Sequence, residues 1–99
     1  MKSHKDLTVY KKSIDFVVAV YEVTRRFPAD EKFGLISQLR RATVPIPSNI
    51  GEGAARKGSK EFSRFLYISL GSLAEVETQL EIPLRLGFIK ENKELEEQY

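Results

Sequence analysis

Ile36-Ser37-Gln38-Leu39-Arg40-Arg41-Ala42-Thr43-Val44-Pro45-Ile46-Pro47-Ser48-Asn49-Ile50-Gly51-Glu52-Gly53-Ala54 is the stretch that decides the fold. Ile36, Leu39, Thr43, Ile46, Ile50 and Ala54 recur at steps of three and four, the period of one face of an α-helix. Pro45 and Pro47 fall inside this stripe. Neither has an N–H, so the carbonyls of Arg41 and Thr43 lose their partners. A loop would reset the phase of the stripe. The phase is kept across both prolines, which predicts one kinked but continuous helix. Asp30 is its candidate N-cap and Gly58 its expected C-cap.

On the N-terminal side, the spacing predicts a helix over about 7–27 with Asp6 as N-cap. Leu7, Tyr10, Ile14, Val17, Val18 and Tyr21 form its stripe, Glu22 and Arg26 its favourable i,i+4 pair, and Phe27-Pro28 its end. On the C-terminal side, a helix over about 60–86 follows Ser59. Its stripe is Phe62, Leu66, Ser69, Leu73, Val76, Leu80 and Leu84, close to a heptad seam. Phe65, Ile68 and Leu70 form a second apolar edge, so this helix should have neighbours on two sides. Gly71-Ser72 should let one approach closely. Pro83 should kink or end the helix, with Gly87 capping it. Residues 88–99 offer Phe88, Ile89 and Leu95 to dock a short fourth helix. Phe33, Phe62 and Phe65 read as core rather than as a cofactor box.

The fold class is therefore all-α: a single domain over 1–99, an antiparallel up-and-down four-helix bundle with three long helices and a short or truncated fourth. The chain has 99 residues, 41% hydrophobic and 30% charged, a globular balance. It has no Cys and one His, His4. That excludes thiolate metal sites, a Cys nucleophile and His-pair metal sites, and argues against a Ser-His-Asp triad. No apolar run reaches the length that spans a bilayer, and the N-terminus is polar. The expectation is a soluble cytoplasmic protein, not an enzyme, with no cofactor, metal or small-molecule substrate.

Charge is unevenly placed. Residues 1–64 carry 13 Lys/Arg against 7 Asp/Glu, and residues 65–99 carry 3 against 7. Arg40-Arg41, Arg56-Lys57, Lys60 and Arg64 are the strongest basic set, with Lys11 and Lys12 on the first helix. Cations on a rigid face neutralise phosphates without reading sequence. Tyr67, three residues after Arg64, is placed to stack on a base. The alternatives are an ordinary solvated surface and a protein-interaction scaffold whose charges serve subunit contacts. Gly51-Glu52-Gly53 lacks the strand and the Gly-Lys-Ser/Thr of a phosphate loop, and reads instead as a place where a crossing helix packs close. Asn49 lies near the prolines and is suited to a freed carbonyl. Glu52 or Glu75 with Arg40 or Arg41 reads as a structural ion pair.

Several short motifs agree in order and spacing: Asp6-Leu7-x-Val9-Tyr10, Phe27-Pro28, Glu31-x-Phe33-x-Leu35, Gln38-Leu39-Arg40-Arg41-Ala42, Ile46-Pro47-Ser48-Asn49-Ile50-x-Glu52-Gly53, Phe62-x-x-Phe65-Leu66, Gly71-Ser72-Leu73-x-Glu75 and Gln79-Leu80. In these the chain resembles, over about residues 6–89, the four-helix bundle family associated with intervening sequences of 23S ribosomal RNA genes. That family is similar to the accessory protein of diversity-generating retroelements. The resemblance implies a helix bundle assembled as a homopentameric, barrel-like ring. From the retroelement relative it implies RNA and a reverse transcriptase as partners; for the rRNA-linked branch it implies no established activity. It further implies that Arg40, Arg41, Asn49, Glu52 and Glu75 form a polar network at or near a subunit contact. Gly51 stands where the family carries Ala, and the family's fourth helix extends further than the sequence given.

Overall fold

A computed structural model of the chain describes residues 3–90. A 3₁₀ turn at His4–Asp6 leads into α1 (Thr8–Thr24). A second 3₁₀ turn, Ala29–Glu31, precedes α2 (Leu35–Thr43), α3 (Pro45–Ala55) and α4 (Ser59–Leu86). No strand occurs among the described residues.

α2 and α3 are the two arms of one bent helix. Val44 between them is itself helical, at φ −56° and ψ −38°. Bonds from Val44 N–H to the Arg40 carbonyl and from Ser48 N–H to the Val44 carbonyl, both 3.4 Å, carry the ladder through the junction. Their length marks the bend that the two prolines impose. The kinked, continuous helix expected from the unbroken stripe is present.

The chain doubles back twice. Arg40 on α2 reaches Thr24 at the end of α1. On the other side Ser69 of α4 bonds the Ile46 carbonyl of α3. Gly53 of α3 lies against Phe62 and Phe65 of α4. A Cβ there would lie 2.6 Å from Phe65 Cβ, so only glycine fits. The core gathers Phe16, Val20, Val23 and Phe27 from α1 and the turn after it. Leu35, Leu39, Ala42, Ile46 and Ile50 enter from the bent helix, Val76 and Leu80 from α4, and Ile89 from beyond it. Leu39, fully buried at the centre, contributes about 1.5–3 kcal/mol by leaving water.

α1 is turned on its axis relative to the expected stripe. Ser13, Phe16, Val20, Val23 and Thr24 face inward. Ile14 and Val18 are 38% and 53% exposed. Burying the two hydroxyls costs little, because Ser13 Oγ donates to the Tyr10 carbonyl and Thr24 Oγ1 to the Val20 carbonyl, both at 2.7 Å.

The helix ends also differ. Asp6 does not cap α1. Its carboxylate accepts the Ser3 N–H in the preceding turn, and Leu7 holds the cap position. α1 stops at Thr24, and Phe27 packs against Phe88 with ring centroids 5.6 Å apart. Glu22 pairs with Arg25 at 3.2 Å. α2 starts at Leu35, whose N–H donates to Glu31 Oε1. Gly58 is not the C-cap of α3. It turns the chain into α4 at φ +94°, where Ser59 is already helical.

α4 runs through Pro83 and ends at Gly87, whose φ of +82° lets Phe88 N–H reach the Pro83 carbonyl at 2.9 Å. Gly71 has nothing within 4 Å of a built Cβ, so the close neighbour expected there is absent among the described residues. Phe33, expected in the core, is 89% exposed. The proposed fourth helix, with Leu95, lies largely outside the described residues.

α1 and α4 both lie on the bent helix. Among the described residues no Cα of one comes within 8 Å of a Cα of the other. The described residues therefore form three helices, one of them bent, with an open groove between the outer two.

Candidate functional site

The turn from α3 to α4 concentrates cations. Arg56 leaves α3 in an extended conformation, and Gly58 reverses the chain with a positive φ that favours glycine. The reversal sets Arg56 and Arg64 over the same Phe65 ring, at 5.3 and 4.5 Å from its centroid. Each also has a carboxylate on its own helix: Arg56 Nη2 lies 2.8 Å from Glu52 Oε2, and Arg64 Nε lies 2.9 Å from Glu61 Oε2. The hydrogen bond from Arg64 holds the Glu61 carboxyl below its ordinary range, and the same bond raises Arg64. Lys57 and Lys60 are exposed beside them. Sequence spacing thus places Arg56, Lys57, Lys60 and Arg64 at one end of the molecule as expected, with two of the four cations already paired.

Arg40 and Arg41 part company. Arg40 is half-buried. Its Nε–H donates to Thr24 Oγ1 at 3.0 Å, its Nη2–H donates to the Tyr21 carbonyl at 3.3 Å, and its guanidinium stacks on the Tyr21 ring at 4.5 Å. It clamps α1 to α2, and among the described residues it pairs with no carboxylate. Arg41, one step round the helix, is exposed. Lys11 and Lys12 are exposed on α1, far along the chain from the α3–α4 turn.

Asn49, Glu52 and Glu75 are not brought together. Asn49 Nδ2–H donates to the carbonyl of Pro45 itself at 2.8 Å, rather than to a carbonyl that a proline freed. Glu52 pairs with Arg56, and Glu75 is exposed on α4.

The groove between α1 and α4 encloses about 350 Å³. Val9 and Phe16 form one wall, Ile46 and Ile50 the floor, and Leu66, Leu70 and Leu73 the other wall, with Lys12 on the rim. The lining Ser13 and Ser69 hydroxyls are turned to main-chain carbonyls. Val9 is 46% and Leu70 58% exposed. Sequence reasoning named the α4 side of this surface, Leu66, Ser69 and Leu73 in the main stripe and Leu70 alone from the second apolar edge. It missed the α1 half, which depends on the helix's rotation.

Among the described residues no group of three His, Asp or Glu is placed to hold a metal ion, and no helix is long and apolar enough to cross a membrane. A family model described as "23S rRNA-intervening sequence protein" matches residues 5–99. A comparison with curated proteins finds no match.

Proposed function

Starting from a chain that belongs to the 23S rRNA-intervening sequence protein family, we propose a non-enzymatic, homo-oligomeric helical bundle that holds RNA by its phosphates. The observation that carries this reading is the apolar groove between α1 and α4, which none of the described residues fills. Monomeric soluble proteins seldom leave such a face open to water, and a thin single core gains from association. Five copies in a ring is the assembly this reading adopts. It also retains the antiparallel four-helix arrangement.

RNA contact falls to the α3–α4 turn. Lys57 and Lys60 make no ion pair among the described residues, and Arg56 and Arg64 stand beside them. Arg41, Lys11 and Lys12 add exposed charge. Arg40 is left out of the phosphate set, since its donors serve Thr24 and Tyr21. A second reading, a protein-interaction scaffold that binds no RNA, draws on the pairing of Arg56 and Arg64 with Glu52 and Glu61, which lowers the free positive charge.

The test is light-scattering mass on a sizing column, with and without a generic structured RNA, at low and moderate salt. The proposal expects a multi-chain mass that rises with RNA at low salt and loses that rise as salt increases. Exchanging Lys57, Lys60 and Arg64 for Glu should weaken binding to every RNA alike and flatten the salt dependence. An oligomer indifferent to RNA supports the scaffold. A monomer refutes both readings.

A further inference from the structure

We infer that the hollow between α1 and α2 takes a nucleotide, its base stacked on Phe33 and its phosphate held by Lys32 and Arg41. The RNA reading above supplies one source of that group, an unpaired nucleotide within a strand. A free mononucleotide is the other. The inference rests on the RNA reading for the source alone, since the hollow shares no residue with the α3–α4 turn.

Spacing builds the hollow. Ser37, Arg40, Arg41 and Val44 follow one another at steps of three and four, so they share one face of the bent helix. Phe33 precedes them on the turn, and Tyr21 of α1 stands opposite; together they line about 620 Å³. Arg40 is the fixed wall. Its guanidinium lies 4.5 Å from the Tyr21 ring centroid, and its bonds to Thr24 Oγ1 and the Tyr21 carbonyl hold it there.

Electrostatics select an anion. Lys32, Arg40 and Arg41 line the hollow and no carboxylate does. Arg40 directs two donors to α1 but keeps its charge. Lys32 and Arg41 are exposed and make no ion pair among the described residues, unlike Arg56 and Arg64. Asp30 and Glu31 precede Lys32 in sequence, yet neither lines the hollow, and Glu31 Oε1 accepts the Leu35 N–H at 3.1 Å.

The aromatic ring narrows the anion to a nucleotide. Phe33 is 89% exposed, the most of any large apolar side chain described. Its turn is closed by bonds from Lys32 N–H to the Ala29 carbonyl and from Gly34 N–H to the Glu31 carbonyl. Lys32 Nζ lies 5.5 Å from the ring centroid. A phosphate taken by Lys32 is therefore brought beside an open aromatic face. Inorganic phosphate or an acidic side chain gains nothing from that face, whereas a nucleotide carries an anion and a planar ring in one ligand. No Asn or Gln lines the hollow to read base edges, so binding should be indifferent to the base.

The experiment uses the full chain and two variants, Phe33→Ala and the double variant Lys32→Gln/Arg41→Gln, all at exposed positions. Circular dichroism verifies that each folds. Fluorescence anisotropy over a salt series reads affinity for a labelled, unstructured single-stranded RNA and for a duplex of the same length. NMR shifts of the amides of residues 32–41 read AMP, with inorganic phosphate as its control. Phe33→Ala should weaken single-stranded binding by about 5- to 100-fold, the worth of one stacked base, and leave the salt slope unchanged. Duplex binding should not move, because paired bases are already stacked. The double variant should instead lessen the single-strand slope by about 1.4, two phosphates at about 0.7 each. Loss of either the strand or AMP in Phe33→Ala supports the hollow and identifies its occupant. A folded Phe33→Ala that keeps both affinities overturns the inference while the RNA reading at the α3–α4 turn stands. A wild type that ignores RNA but takes AMP at these amides upholds the inference and overturns the RNA reading. Amides that answer inorganic phosphate as strongly as AMP overturn the nucleotide in favour of a simple anion. A wild type that takes none of these probes overturns both.

Discussion

Replacing Gly53 with Ala places a methyl carbon 2.6 Å from Phe65 Cβ and 3.3 Å from Phe62 Cδ1. Carbon atoms pack at about 3.5–4.0 Å, so α3 and α4 must separate by roughly 1 Å. A Cβ is fixed to its backbone and has no torsion by which to step aside. Overpacking of this kind costs about 1–3 kcal/mol. Against it stands a gain of about 1 kcal/mol for Ala over Gly inside a helix. Gly71→Ala isolates that gain, since Gly71 is helical, exposed and free of neighbours within 4 Å. The two variants should therefore differ by the packing cost, about 1–3 kcal/mol, with Gly71→Ala the more stable. Urea denaturation at one fixed protein concentration measures this, with equal m-values showing that the unfolded states match. Each kcal/mol moves the thermal midpoint by about 4–8 °C at this chain length. A Gly53→Ala protein as stable as Gly71→Ala would refute the claim that the α3–α4 crossing depends on a missing side chain.

Arg40→Met keeps the length of the side chain but removes two hydrogen bonds and the stacking on Tyr21. It should cost about 1–3 kcal/mol in thermal denaturation, whereas Arg41→Met should stay within about 0.5 kcal/mol of wild type. Glu61, held low by the hydrogen bond from Arg64, should titrate below the ordinary glutamate range in an NMR pH series and return to that range in Arg64→Gln. Its folded-state pKa is lowered, so the pair's stabilising contribution is whole above the ordinary glutamate pKa. That contribution is lost as pH falls through the lowered value.

The bent helix was legible because its pattern is redundant. Ile36, Leu39, Thr43, Ile46 and Ile50 keep one phase, and a helix whose side chains stay in register has reason to stay helical across two prolines. α4 was legible for the same cause, with Ser69, Val76 and Leu80 buried where its stripe puts them. α1 was not. Val9, Tyr10, Ile14, Phe16, Val17, Val18, Val20, Tyr21 and Val23 surround most of its circumference, so steps of three and four fit more than one face. The face actually buried includes Ser13 and Thr24, hydroxyls that cancel their own polarity on nearby carbonyls and so disguise the stripe. The fate of Arg40 was equally hidden. Its partners lie 16 and 19 residues away, and no local pattern separates it from Arg41. The basic turn at Arg56–Arg64 could be read because short sequence distance forces short spatial distance. The groove could not, since its two walls come from helices far apart in sequence, with no Cα of one within 8 Å of the other among the described residues.

That separation has a consequence for how the molecule comes apart. α1 is seated on the bent helix and shares a core with α4 through Phe16, Val20, Val76 and Leu80, while the close backbone approach at Gly53 belongs to α3 and α4 alone. The Gly53–Phe65 contact involves no residue of α1, so the amides of α1 should open at lower free energy than those at the α3–α4 crossing. A neighbour seated in the groove would bridge both outer helices at once and narrow that difference. Slower hydrogen exchange in α1 is thus the signature of assembly that a single chain carries within it.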